Sequence, residues 1–177
     1  MQGDERSARF EQTFLPHLDA AHNLARWLMR NAQDAEDLVQ EAYLRAFQAY
    51  ENFRGESAKA WLLTIVRNAC FSRMRRATVA GESAEFDEQV HSPAHAADDP
   101  ETLALKEADS RMLAAAIEEL PEEYREVIVL RELEELQYKE IAAIVSVPLG
   151  TVMSRLARAR ERLRCALVAA GAKELGR

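Results

Sequence analysis

YKEIAAIVSVPLGTVMSRL, from Tyr138 to Leu156, is the stretch whose reading decides the fold. A short helix, Tyr138 to Val145, carries a small residue, Ala142, where a second helix must cross closely. A tight turn follows at Ser146-Val147, and Val152 packs back against the first helix. The second helix then projects Thr151, Met153, Ser154, Arg155 and Arg158 from its N-terminal turns and opposite side. This is the layout of a helix-turn-helix, whose second helix enters a major groove. Arg155, Arg158, Arg160, Arg162 and Arg164 follow with only Glu161 opposing them along the sequence. Arginine suits phosphate pairing and guanine edges. A helical hairpin with a solvated arginine-rich face has the same spacing; the arginine excess inside an acidic chain favours DNA.

Outward from this motif the chain is helical on both sides. Leu105, Ala108, Met112, Ala116 and Leu120 form one stripe, and Pro121 restarts a helix through Tyr124, Val127, Ile128 and Leu130. Val152, Leu156, Ala159, Leu163 and Leu167 line the inner face of the last helix. Near the N-terminus, Phe10, Phe14, Leu18, Ala21, Ala25 and Leu28 recur at helical spacing, with a kink expected at Pro16. Asn31 reads as a stop and Asp34 as the cap of the next helix, whose apolar face runs through Leu38, Ala42 and Ala46. After a loop from Asn52 to Ser57, Ser57 caps a long helix through Trp61, Ile65, Ala69 and Met74 to about Arg76.

Between these halves, Ala77 to Ala104 holds Glu82, Glu85, Asp87, Glu88, Asp98, Asp99 and Glu101 but no Lys or Arg. That is the composition of a flexible acidic linker. Asp99-Pro100-Glu101 reads as a helix start. The expectation is an all-α chain of two small helical domains, 1–77 and 105–177, joined by the linker 78–104. A length of 177 residues permits two domains of about 70 to 80 residues each.

Composition excludes several classes. No run of about 18 apolar residues occurs, so no membrane insertion is expected. The polar start, Met1 to Phe10, is not a secretion signal, and two distant cysteines, Cys70 and Cys165, suit a reduced cytoplasmic protein. Four scattered histidines offer no metal-ligand pair, and no carboxylate pair, Gly-rich phosphate loop or nucleophile–base pair stands out. No enzyme, cofactor or metal site is expected. A net charge of −7 alone argues against nucleic acid, but the charge is unevenly placed. Asp34, Asp37, Glu41 and Arg45 share a stripe of the second helix, and Arg67, Arg73, Arg75 and Arg76 sit on the third without an intervening acid. The acidic stripe suits a basic protein partner, unless it is simply a solvated face. The basic end, near Phe53 and Trp61, suits single-stranded DNA, with Trp61 a core aromatic on the plainer reading.

Four blocks carry a resemblance: DAEDLVQEAYLRAF from Asp34, FRGESAKAWLLTIVRN from Phe53, LPEEYREVIVLRELEELQYKEIA from Leu120 and GTVMSRLARARERLR from Gly150. In that order, with a variable segment after the second, they resemble the sigma-70 family, specifically its extracytoplasmic-function (ECF) group. The resemblance implies sigma region two, the linker and sigma region four, in a factor that brings core RNA polymerase to promoter DNA and promotes melting, in a stress or envelope response. It implies that Asp34, Asp37, Leu38, Gln40, Glu41 and Leu44 dock on the polymerase. It assigns minus-ten DNA to Phe53, Arg54, Trp61, Thr64, Asn68, Arg73, Arg75 and Arg76. There a base is flipped into a pocket, and unstacking on the order of a few kcal/mol is offset by pocket contacts. It assigns minus-thirty-five DNA to Thr151, Met153, Ser154, Arg155 and Arg158. The linker would thread toward the RNA exit path.

Two positions depart from the family pattern: Met153, where many relatives carry a basic residue, and Ser146, where the turn often has glycine. Pro148 fits it and stiffens the entry to the recognition helix. An anti-sigma factor is an expected partner, and a monomer is expected when the chain is free. The rival readings are a sigma-like mimic that titrates an anti-sigma factor, with eroded arginines, and a dimeric stand-alone helix-turn-helix regulator, which leaves the first half without a role.

Overall fold

The computed structural model describes the backbone of residues 2–81 and 100–175 and the side chains of residues 5–81 and 106–171. All regular structure among the described residues is helical. Most of the stretch expected as a linker, residues 82–99, lies outside them.

Helix α1 (Gln2–Phe14) gives way to one 3-10 turn, Leu15–His17, before α2 (Leu18–Met29). Pro16 sits in that turn, because its ring lacks an N–H and clashes with the carbonyl a turn earlier. Arg30, left-handed at φ 59°, ends α2. The sequence reading puts the next cap at Asp34; the structure puts it at Asn31. The Asn31 Oδ1 accepts the Asp34 N–H at 2.9 Å, so α3 (Ala32–Gln48) begins earlier and Asp34 lies in its first turn. Asn31 thus satisfies one of the N–H groups a helix start leaves open.

Ser57 caps α4 (Ala58–Ala80), its Oγ accepting the Ala60 N–H at 3.2 Å. The helix runs a turn beyond Arg76, because Ala77, Thr78 and Val79 hold no stop signal, and ends at Gly81 in the left-handed region. Helix α5 (Pro100–Glu118) starts at the expected proline. Helix α6 (Glu122–Ile128) passes into a π-helical turn, Val129–Leu133, followed by α7 (Tyr138–Val145) and α8 (Leu149–Leu175).

Helices α2, α3 and α4 pack on one another around Leu24, Leu38, Leu62 and Leu63, all fully buried. In the second half, α6 and α7 pack against α8 around Ile128, Ile141, Val152 and Leu156. Each such side chain contributes roughly 1.5–3 kcal/mol by leaving water. Arg125, buried in this core, donates to the carbonyls of Ile117 (3.3 Å), Glu118 (2.8 Å) and Leu120 (2.6 Å). These carbonyls lie at the C-terminal end of α5, where helical N–H donors run out, and the Ile117 carbonyl also accepts the Leu120 N–H at 3.1 Å. Burial, with Arg30 nearby, pulls the Arg125 guanidinium down to about 10, which leaves it charged at neutral pH. The two halves also touch, α4 against α7 and α2 against α6.

Candidate partner and nucleic-acid interfaces

Helix α3 divides its residues cleanly. Ala35, Leu38, Val39, Ala42 and Ala46 are buried, whereas Asp37, Gln40, Glu41 and Leu44 are exposed. The exposed four fall at helical spacings of three and four, so they form one continuous stripe. Leu44 is 63% exposed, an apolar side chain set among acids. Leu38 departs from the expectation: only 1% exposed, it packs in the core and cannot meet a partner from there. Asp34 is half-exposed and pairs with Arg73 of α4 at 2.5 Å, joining the acidic stripe to the basic end of α4.

Phe53 and Trp61 are partly buried in an aromatic cluster with Phe14. Their ring centroids lie 5.3 Å (Phe53) and 5.2 Å (Trp61) from that of Phe14, and 5.4 Å from each other. Offset aromatic contacts of this kind hold the Asn52–Ser57 loop against α1 and α4. Thr64 spends its hydroxyl on the Ala60 carbonyl at 2.8 Å. Arg54, Asn68, Arg75 and Arg76 are exposed. The structure therefore brings Phe53 of the loop against Trp61 of α4, with Thr64 about one turn beyond Trp61 and Asn68 a turn beyond Thr64. Arg75 and Arg76 stand two turns further on.

In the helix-turn-helix, Val152 is fully buried and Ser146 forms the turn at φ 56° and ψ 45°. At this position, where the family often has glycine, serine holds a left-handed conformation that disfavours any Cβ. We expect Ser146→Gly to raise the unfolding free energy by about 1 kcal/mol, seen as a higher urea midpoint at unchanged slope. An equal or lower midpoint would mean that the turn is not strained.

Met153, Ser154 and Arg158 of α8 are exposed, and Thr151 is partly so. Arg155 differs. It pairs with Glu123 at 3.2 Å and with Glu126 at 3.5 Å, and its side chain is only 20% exposed. Three of the other arginines are engaged as well: Arg160 meets Glu132 at 2.6 Å, Arg164 meets Glu161 at 2.6 Å, and Arg162 lies over the Tyr124 ring. Folding places acids of α6 and the π turn against a helix whose arginines face only Glu161 in sequence.

Sequence reasoning misses three further charged residues, Glu126, Glu134 and Lys59, and the pairing of Arg67. Glu126, almost wholly buried, takes Arg67 of α4 at 2.7 Å. Glu134, also buried, takes Lys59 of α4 at 2.9 Å and the Asn23 amide at 2.6 Å. Burial pushes the Glu126 carboxyl up, while the hydrogen bond and charge of Arg67 and the charge of Arg155 oppose that shift. The available signal was Arg125-Glu126 inside the otherwise apolar run Tyr124 to Leu130. Adjacent charges in a buried segment need partners.

These surfaces sit on a fold with known relatives. Residues 13–79 match sigma-70 region 2 and residues 110–163 match sigma-70 region 4. The chain is 36% identical over 174 residues to the RNA polymerase sigma-H factor of Pseudomonas aeruginosa, covering 94% of this chain and 89% of that one. The chain belongs to the sigma-70 family. It is an RNA polymerase sigma factor of the ECF group: the ECF RNA polymerase sigma-E factor of Escherichia coli K12 is 40% identical over 137 residues, 73% of this chain and 72% of that one. The sigma factor RpoE of Bartonella quintana, solved in complex with the anti-sigma factor NepR, superposes with a TM-score of 0.75 at 31% identity. That superposition covers 90% of this chain and 96% of the other. CnrH, solved in complex with the cytosolic domain of CnrY, gives 0.65 at 26% identity over 92% and 90% of the two chains. Among the described residues of this sigma factor, no cluster of His, Cys, Asp or Glu could hold a metal ion. No single described helix is long and apolar enough to cross a membrane.

Proposed function

We propose that this sigma factor docks on core RNA polymerase through the exposed stripe of α3, Asp37, Gln40, Glu41 and Leu44, with Asp34 at its edge. The loop and α4, through Phe53, Arg54, Trp61, Thr64 and Asn68, read and melt the minus-ten element, and Arg73, Arg75 and Arg76 grip the adjacent backbone. Helix α8 reads the minus-thirty-five element through Thr151, Met153, Ser154, Arg155 and Arg158. The observation that supports this reading best is the division of α3: an acidic and apolar stripe stands exposed on a helix whose other face is core. Such a stripe suits a basic protein partner, and exposed basic residues on α4 and α8 suit DNA.

On this reading the functional division is residues 1–77, 78–104 and 105–177, and the protein works in the cytoplasm as a transcription factor without catalysis of its own. An anti-sigma factor covers it until a stress or envelope signal arrives, and it is monomeric when free. An acidic chain binds DNA weakly alone; two basic patches tethered on one polymerase bind as a unit.

Run-off transcription tests the reading. Core polymerase with this protein and a pool of promoter fragments from its own genome should yield discrete transcripts that neither component gives alone. Binding to core polymerase or to a sigma inhibitor without transcripts would favour the mimic. Binding to neither would return the protein to a stand-alone regulator.

A further inference from the structure

We propose that Met153 makes the minus-thirty-five reading of this sigma factor selective for a thymine, whose C5 methyl seats against the Met153 side chain in the major groove. This deepens the reading of α8 as the minus-thirty-five helix and rests on it.

A recognition helix presents its N-terminal residues to base edges. Here the first six residues of α8, Leu149 to Ser154, carry no charge. They also include no Asn or Gln. The bidentate contacts that arginine makes to guanine, and that asparagine or glutamine makes to adenine, are therefore not open to this part of the helix. The next residue, Arg155, is held aside: its side chain is 20% exposed and pairs with Glu123 and Glu126. What the first turns offer a base edge is hydroxyl and hydrocarbon. The Ser154 hydroxyl donates to the Thr151 carbonyl at 3.0 Å, and serine or threonine hydroxyls discriminate poorly between base edges in any case. Hydrocarbon does discriminate, because among the four bases only thymine shows a methyl group in the major groove.

The hydrocarbon is placed for that contact. Val152, Leu156 and Ala159, each at most 1% exposed, define the buried side of α8. At 3.6 residues per turn, Gly150 and Ser154 stand opposite them, and both are exposed. Leu149, Met153 and Ala157, four residues apart and all exposed, run along one flank of these two; Thr151 and Arg158 run along the other. A Cβ at Gly150 would meet nothing within 4 Å, so the middle of the face is low and open, and the helix backbone can come close to the groove floor. Met153 rises beside it, 52% exposed, next to Leu149 at 40%. The exposed Arg158 on the opposite flank suits phosphate or a guanine edge, so the apolar flank is continuous with a surface that already faces DNA. The unbranched methionine chain can follow a methyl group into the groove. Covering one methyl in this way is worth about three- to fivefold in affinity.

Selection and a single-methyl substitution on the holoenzyme test this. Core polymerase with the full chain selects from duplex fragments that share one minus-ten element, taken from a run-off promoter, and are randomised across the minus-thirty-five region. Wild type should enrich a thymine, on one strand, at a position where Met153→Arg enriches guanine instead. At that position deoxyuridine in place of thymidine removes only the methyl, and should weaken wild-type holoenzyme about three- to fivefold. Met153→Ala should bind the thymidine and deoxyuridine duplexes alike. Met153 faces solvent, so both variants should keep the wild-type urea midpoint. The proposal is overturned if no position shifts from thymine on Met153→Arg, or if deoxyuridine serves wild type as well as thymidine. It is also overturned if Met153→Ala keeps the full methyl effect, which would give the methyl to another side chain. A Met153→Arg variant that selects the same DNA but binds core polymerase more weakly would make the apolar flank a protein surface. If wild type enriches no sequence in the randomised region, the reading of α8 itself falls. If it enriches one without a methyl effect, only the thymine contact falls.

Discussion

Asp37→Arg combined with Leu44→Glu should bring transcription from every promoter down to the level of core polymerase alone. The two residues lie two turns apart on the exposed stripe of α3, and Leu44 is 63% exposed. An exposed leucine beside acids is the kind of group that anchors a protein interface once it is covered. Truncating such an anchor costs about 2 kcal/mol or more, and reversing a charge that faces a basic partner adds to that. Together about 3–4 kcal/mol is expected, roughly a 100- to 1000-fold loss of affinity for core polymerase. Native gel shift or surface plasmon resonance would read it directly. Because both side chains face solvent, the unfolding free energy should stay within about 0.5 kcal/mol. Leu38→Ala, on the same helix, is expected to behave oppositely. It should cost about 2–5 kcal/mol of stability by opening a cavity in the core. Affinity within threefold of wild type for the double variant would remove α3 as the docking helix.

That contrast within one helix marks what was legible in the sequence. The helical fold, the break at Pro16, the Ser57 cap, the Pro100 start and the bounds of α7 follow from local chemistry, and local chemistry is what a sequence displays. The core face of α3 was equally legible. Leu38 shares helical spacing with Ala42 and Ala35, so the same periodicity that draws the apolar face argues against Leu38 as a docking residue. What sequence could not display is pairing over distance. Arg155 meets a carboxylate 29 residues away, and Arg67 meets the same one 59 residues away. A run of arginines with one acid among them looks unopposed until folding brings Glu123, Glu126 and Glu132 across. Asp34 was legible as a helix-start residue but not as the partner of Arg73, 39 residues on.

The pairing of Arg155 changes which substitution tests minus-thirty-five reading. Arg155 and Arg158 look equivalent in sequence, three residues apart on the recognition helix. In the structure Arg158 is exposed, whereas the Arg155 side chain is 20% exposed and held by Glu123 and Glu126. Losing Arg155 deprives buried Glu126 of one of its two arginines, and an under-satisfied buried carboxylate costs about 1–3 kcal/mol. The exposed Glu123 contributes little to that sum. Arg155→Ala should therefore lower the urea midpoint measurably, whatever it does to DNA. Arg158→Ala should leave stability unchanged and act on DNA alone. If Arg158 reads a base edge, about 1–3 kcal/mol of discrimination goes with it, roughly 5- to 150-fold. The measurement is holoenzyme affinity for a promoter with an intact minus-thirty-five element against one with that element scrambled. For Arg158→Ala the two affinities should converge, while stability matches wild type. Unchanged discrimination in Arg158→Ala, with discrimination lost in Arg155→Ala at unchanged stability, would make Arg155 the reader. Arg155 would then have to leave Glu126 when it meets DNA, and Glu126 would keep Arg67 as its one arginine.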